Sequence, residues 1–135
     1  MIKHFTQFET KEIADSLIDL ALAYKANPRI DVSKGIGKRI GCIFLNPSLR
    51  TRASTQIAAL QLGMEPIVMN MDKEGWALEM REGVTMNKGT VEHIKDAAGV
   101  LGSYFDILAI RAFPTLTNKQ EDLEDFVFNQ FIKYS

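Results

Sequence analysis

An α/β fold, an open parallel sheet with helices on both faces, is predicted by three observations. Three short runs, at residues 40–45, 66–69 and, led by Asp106, 106–110, are continuously apolar rather than alternating. Strands covered on both sides of a parallel sheet have this character. Segments of helical period separate the runs at 51–62 and 91–101, and another follows at 121–131. The resulting order, a leading helix and then three strand–helix units, is the alternation that builds parallel sheets.

Each element has a local reason. Over Lys11–Ala26, Ile13, Leu17, Leu20, Ala21 and Tyr24 recur at helical spacing, Thr10 is placed to cap, and Asn27-Pro28 ends the segment. A polar connection holds Gly35 and Gly37. The first strand starts at Arg39 and stops at Asn46-Pro47, because proline lacks the ladder N–H. Ser48 is the expected N-cap of the 51–62 helix, which should pack Ile57, Leu60 and its alanines and stop at Gly63. Residues 70–88 lack sustained periodicity and read as a long loop with one helical turn, the kind of segment that often carries function. Thr90 is the expected cap of the 91–101 helix, which packs Ile94, Ala97, Ala98 and Leu101 and ends at Gly102. The third strand delivers Arg111 at its C-terminal end, and the last helix carries Leu123, Phe126, Val127 and Phe131.

Length and charge narrow the function. A chain of 135 residues fits one domain. Sixteen Lys+Arg against 17 Asp+Glu leave a net charge of -1, so no overall field attracts nucleic acid or an acidic membrane. The basic residues Lys34, Lys38 and Arg39 lack interleaved aromatics and read as a solvated turn. Cys42 has no intrachain partner and reads as a core thiol. His4 and His93 lie too far apart for metal-ligand spacing, and His93 reads as a helix-surface or interface residue. With no apolar run of membrane-spanning length and no signal-peptide pattern at the N-terminus, a cytoplasmic protein is expected.

Ligands of open α/β sheets gather beyond the carboxyl ends of the strands. The first such end, Phe44-Leu45-Asn46-Pro47-Ser48-Leu49-Arg50-Thr51-Arg52, runs from a strand straight into a helix N-terminus. Unpaired backbone N–H groups, the positive end of the helix dipole, two hydroxyls and two guanidiniums make a phosphate receptor. The nucleotide P-loop pattern is not present. A serine-capped helix whose arginines face solvent or pair with carboxylates has the same sequence, and on pattern alone both readings stand. Arg111 alone reads as a strand-end arginine in a surface ion pair.

The Ser-x-Arg-Thr-Arg run after a hydrophobic strand resembles the carbamoyl-phosphate signature of the aspartate and ornithine carbamoyltransferases. Leu49 stands where the usual residue is Thr, a departure that resembles the branch acting on N-acetyl- and N-succinylornithine. Gly63-Met64, Gly75-Trp76-Ala77-Leu78-Glu79, Gly83-Val84-Thr85-Met86, Glu92-His93-Ile94 and Ile110-Arg111-Ala112-Phe113-Pro114 fall in that family's order.

The resemblance implies that Ser48, Leu49, Arg50, Thr51 and Arg111 bind carbamoyl phosphate, with Arg50, Thr51 and Arg111 stabilising charge during catalysis. It implies that Trp76 reaches a neighbouring subunit's donor site within a homotrimer. It also implies that the residue before the Glu-His pair lies near the acceptor's acyl group: Val91, unlike an acid, would not repel a succinyl tail. The implied reaction is carbamoyl transfer to the side-chain amine of N-acylornithine in arginine biosynthesis, with no cofactor and no metal. Residues 1–135 would form a carbamoyl-phosphate-binding domain incomplete at its C-terminal end, without the acceptor domain, binding donor without turnover on its own. The alternative is a non-catalytic phosphoanion-binding or assembly module.

Overall fold

In the computed structural model, the described residues are 10–71, 75, 77–86 and 89–135. A central strand, β1 (Arg39–Phe44), pairs in parallel with β2 (Glu65–Asn70) on one side and β5 (Ile107–Arg111) on the other. The register sets Phe44 opposite both Asn70 and Arg111, so the three carboxyl ends finish level. Pro66 is tolerated because β2 is an edge strand in this sheet.

Among the described strands only β1 is buried along nearly its whole length, since it alone of these has a strand on each side. Ile40, Cys42 and Phe44 point to one face and pack with Ala59 and Met64 of the segment that begins with helix α2 (Arg50–Gln61). Ile43 points to the other face and joins Ile94 and Ala98 of α3 (Ile94–Tyr104) and Phe131 of α5 (Phe126–Tyr134). Both faces of the sheet are therefore covered by helices, as the apolar runs predict. β2 and β5 are only partly buried, because edge strands lose one neighbour. Burial raises the Cys42 thiol above its ordinary pKa, as expected for a core residue.

Helix α1 (Lys11–Ala26) has the predicted bounds, and Thr10 accepts from the Ile13 N–H. None of its residues is buried. Other boundaries differ from the sequence reading. Helix α2 begins one residue early with Leu49 as its N-cap, in place of Ser48, and Leu49 has helical rather than extended backbone. Within α2 the inward residue is Ala59, while Ile57 and Leu60 are each more than half exposed. The segment read as one loop contains β3 (Leu78–Glu79), which pairs in parallel with β4 (Glu92–His93).

That small ladder explains the late start of α3. Residues 92–93 are extended within it, so Thr90 cannot cap, and His93 takes the role. Its Nδ1 accepts from the Lys95 N–H at 3.0 Å while Nε2 donates to the Arg81 carbonyl at 2.9 Å. Helix α3 also continues past Gly102. The predicted helix over 121–131 is split into α4 (Lys119–Leu123) and α5, because Asp125 adopts left-handed backbone (φ 50). The break frees α5 to insert Phe131 into the core, while Leu123 stays exposed. Among the described residues, no helix is long and apolar enough to cross a membrane.

Candidate functional site

The chain leaves β1 toward β2 on one side, then returns to place β5 on the other side of β1. The β1/β5 carboxyl edge is thus a topological switch point, where neighbouring loops part and leave a crevice. Two sequence-predicted groups meet there. The β1–α2 turn supplies Ser48, Leu49, Arg50 and Thr51, and the end of β5 supplies Arg111.

Specific bonds join the two ends. The Leu45 N–H donates to the Arg111 carbonyl at 3.0 Å, extending the ladder by one step. Arg111 Nη1 donates to the Pro47 carbonyl at 3.1 Å, and its guanidinium lies 4.4 Å from the centre of the Phe113 ring. Asn46 Oδ1 accepts from the Phe113 N–H at 2.7 Å. Among the described residues Arg111 forms no ion pair of the kind it suggests alone, and its side-chain contacts are a carbonyl and a ring.

The N-terminus of α2 is open. Its N-cap, Leu49, offers no side-chain acceptor, and its first turn contains no acid. A leucine cap leaves the first-turn N–H groups without the oxygen that Ser, Thr, Asp or Asn would supply. Leu49 itself is 84% exposed, and Arg50 and Thr51 are exposed beside it. Neither Arg50 nor Arg52 forms a salt bridge among the described residues, where the ion pairs join Lys11 to Asp15, Lys34 to Asp31 and Lys133 to Glu82. Uncapped amides, a positive dipole end and unneutralised guanidiniums together suit an anion with several oxygens.

The other predicted residues lie elsewhere. Val91 donates its N–H to the Ala77 carbonyl at 3.4 Å and is largely exposed beside the β3–β4 ladder. No bond among the described residues ties it to the β1–α2 turn. Trp76 lies outside the described residues.

Beyond Arg111 the chain is held by Asp122, whose carboxylate accepts from the Thr115 N–H at 2.7 Å, the Leu116 N–H at 2.9 Å and the Thr115 hydroxyl at 3.1 Å. The Thr115 amide is foremost in holding the Asp122 carboxyl below its ordinary pKa. A cavity of about 360 Å³ on that side is lined by Glu121, Asp122 and Asp125 as well as Phe113, so its own lining is acidic and does not suit an anion. Sequence reasoning missed Asn46 and Phe113 as contacts. Asn46-Pro47 carries a signal for a strand end, but a turn asparagine's long-range partner is not written in its neighbours.

The chain matches known proteins in sequence and in fold. Residues 2–132 match the family model described as aspartate/ornithine carbamoyltransferase, carbamoyl-P binding domain. The chain is 41% identical over 136 residues to the N-acetylornithine carbamoyltransferase of Xylella fastidiosa (strain Temecula1), covering 99% of this chain and 40% of that protein. It is 43% identical over 104 residues to the N-succinylornithine carbamoyltransferase of Bacteroides fragilis (strain 638R), covering 77% of this chain and 33% of that one. A crystal structure of acetylornithine transcarbamylase complexed with acetylcitrulline superposes with a TM-score of 0.84 at 40% identity, over 99% of this chain and 40% of the other. The chain thus spans about two fifths of the length of such relatives.

Proposed function

We propose, from the premise that the chain belongs to the aspartate/ornithine carbamoyltransferase family through its carbamoyl-phosphate-binding domain, that the β1–α2 turn and Arg111 bind carbamoyl phosphate for transfer to an N-acylornithine. The observation that carries the reading is the uncapped α2 N-terminus at the sheet's switch point, with Arg111 fastened to the same turn through the Pro47 carbonyl.

In this reading the amides of the turn, the hydroxyls of Ser48 and Thr51 and the guanidinium of Arg50 hold the phosphate. Arg111 reaches the phosphate and the carbonyl oxygen. The acceptor's side-chain amine attacks the carbonyl carbon, the bond from that carbon to the phosphate-bearing oxygen breaks, and phosphate departs with the pair of electrons. The amine's proton passes to the leaving phosphate. Arg50, Thr51 and Arg111 act by stabilising charge that grows on the oxyanion and the leaving group, together with positioning. The whole reaction, its place in arginine biosynthesis, a homotrimer in which Trp76 serves a neighbouring subunit, and a cytoplasmic location all belong to the proposal.

Val91 supports a succinyl over an acetyl acceptor, because an apolar side chain does not repel a second carboxylate. Solved structures of N-acetyl-L-ornithine transcarbamylase variants with one glutamate replaced by Ala, Ser, Val or Pro contain carbamyl phosphate and N-succinyl-L-norvaline. Those complexes fit the idea that removing one carboxylate admits the longer acyl group.

The test is calorimetric titration of the chain with freshly dissolved carbamoyl phosphate, with inorganic phosphate and duplex DNA as controls. Arg50→Ala should weaken carbamoyl phosphate by about tenfold or more, the scale of a lost charge-assisted hydrogen bond. Equal response to both phosphates would reduce the site to a generic anion receptor, and an unchanged Arg50→Ala affinity would remove it.

A further inference from the structure

Four residues at the switch point form a closed circuit, of which Arg111 alone has a donor-binding role in the reading above. Asn46 Oδ1 holds the Phe113 N–H at 2.7 Å, the Phe113 ring faces the Arg111 guanidinium at 4.4 Å, Arg111 Nη1 holds the Pro47 carbonyl at 3.1 Å, and Pro47 follows Asn46 in the chain. Asn46 and Phe113 are 67 residues apart in sequence, so this contact fastens one loop to another.

The geometry points to Asn46 and Phe113 as positioning residues that aim Arg111 at the bound donor, an inference that rests on the proposed carbamoyl-phosphate site. An arginine at a strand end has several rotatable bonds and a guanidinium with five N–H donors. One Nη1 hydrogen is spent on Pro47, and the guanidinium carbon sits over the Phe113 ring at 4.4 Å, a second contact that limits the side chain's freedom. The remaining donors are left to meet two oxygens at once, which is what Arg does best when its plane is fixed. The ring can do this only if the backbone of Phe113 stays in place, and the Asn46 side chain holds that backbone. The residue type at 46 fits the task. An aspartate would accept the same N–H but set a carboxylate beside the anion site, and an alanine would accept nothing.

The experiment measures carbamoyl phosphate affinity and thermal midpoint of the 135-residue chain in three variants, Asn46→Ala, Phe113→Leu and Phe113→Tyr, each with Arg111 intact and with Arg111→Gln. With Arg111 intact, Phe113→Leu should weaken binding about three- to fivefold, as loss of one ring–cation contact does. Asn46→Ala should weaken it about fivefold, and Phe113→Tyr should retain wild-type affinity. In the Arg111→Gln background all three should be silent, because residues that act only through Arg111 have nothing left to aim. A merely structural role predicts additive losses in both backgrounds, and that result would overturn the inference. So would full affinity for Phe113→Leu. If Asn46→Ala lowers the midpoint, the Leu and Tyr replacements at 113 decide between the outcomes. Failure of the underlying site looks different: Arg111→Gln alone would then bind like wild type, and both readings would fall.

Discussion

Arg111 shows how one side chain changes meaning with its surroundings. In a sequence it is an ordinary strand-end cation, but here it is bonded to a carbonyl of the opposite turn and faces an aromatic ring. Ser48 changes in the opposite direction. Its expected capping duty passes to Leu49, which cannot perform it, and the first-turn amides of α2 are left available to a ligand. Asp122 provides a residue-scale test of the loop that continues from Arg111. Its carboxyl is held below the ordinary aspartate pKa of 3.8 chiefly by the Thr115 amide, then by Leu116 and the Thr115 hydroxyl. A depressed native pKa stabilises the fold above the unfolded value, and the contribution is lost as pH falls through the native one. The Thr115 and Leu116 amide resonances should therefore titrate below pH 3.8 in the native chain and lose that transition in Asp122→Asn. A transition at or above 3.8 would contradict the clamp.

At the scale of elements, the clearest sequence signal is at the end of α2. The Met64 N–H donates to the Ala59 carbonyl at 2.9 Å and the Gly63 N–H to the Leu60 carbonyl at 3.1 Å, the paired bonds of a Schellman motif, with Gly63 at φ 81. A Cβ at Gly63 would stand 2.2 Å from the Val32 carbonyl oxygen, whereas Gly37, also at positive φ (77), has open space around it. Gly37→Ala should cost about 1 kcal/mol from backbone strain alone. Gly63→Ala should cost about 2 kcal/mol or more, since Val32 must also move. Urea unfolding of the two variants checks this, and equal losses would mean the Val32 contact yields freely. The three strands, α1 and the core face of α3 were legible for the same reason as Gly63: apolar period and punctuation are local. The β3–β4 ladder was not, because two-residue strands carry no period and their pairing is a tertiary event. Its omission misplaced the start of α3 and hid the capping role of His93. The break at Asp125 was likewise silent, since it reflects how α5 docks Phe131 rather than a helix-breaking residue.

For the whole molecule, the order of strands matters more than any single contact. Because β1 lies between β2 and β5, the return of the chain past β1 brings two segments some 60 residues apart to a shared edge, and among the described residues the cations of both form no salt bridge. Site legibility followed the same division: the motif at Ser48 to Arg52 was readable locally, while its junction with Arg111 through Asn46 and Phe113 required the fold. Ile57 and Leu60 of α2 are each more than half exposed, and α1 has no buried residue. The most direct test of the central claim reads every backbone amide at once, by titrating isotopically labelled chain with carbamoyl phosphate and following the nitrogen–proton spectrum. The account predicts saturable shifts centred on the amides of residues 48–52 and on Arg111 and Phe113, reduced in Arg50→Ala. Shifts confined to other parts of the molecule, or none at saturating donor, would contradict it.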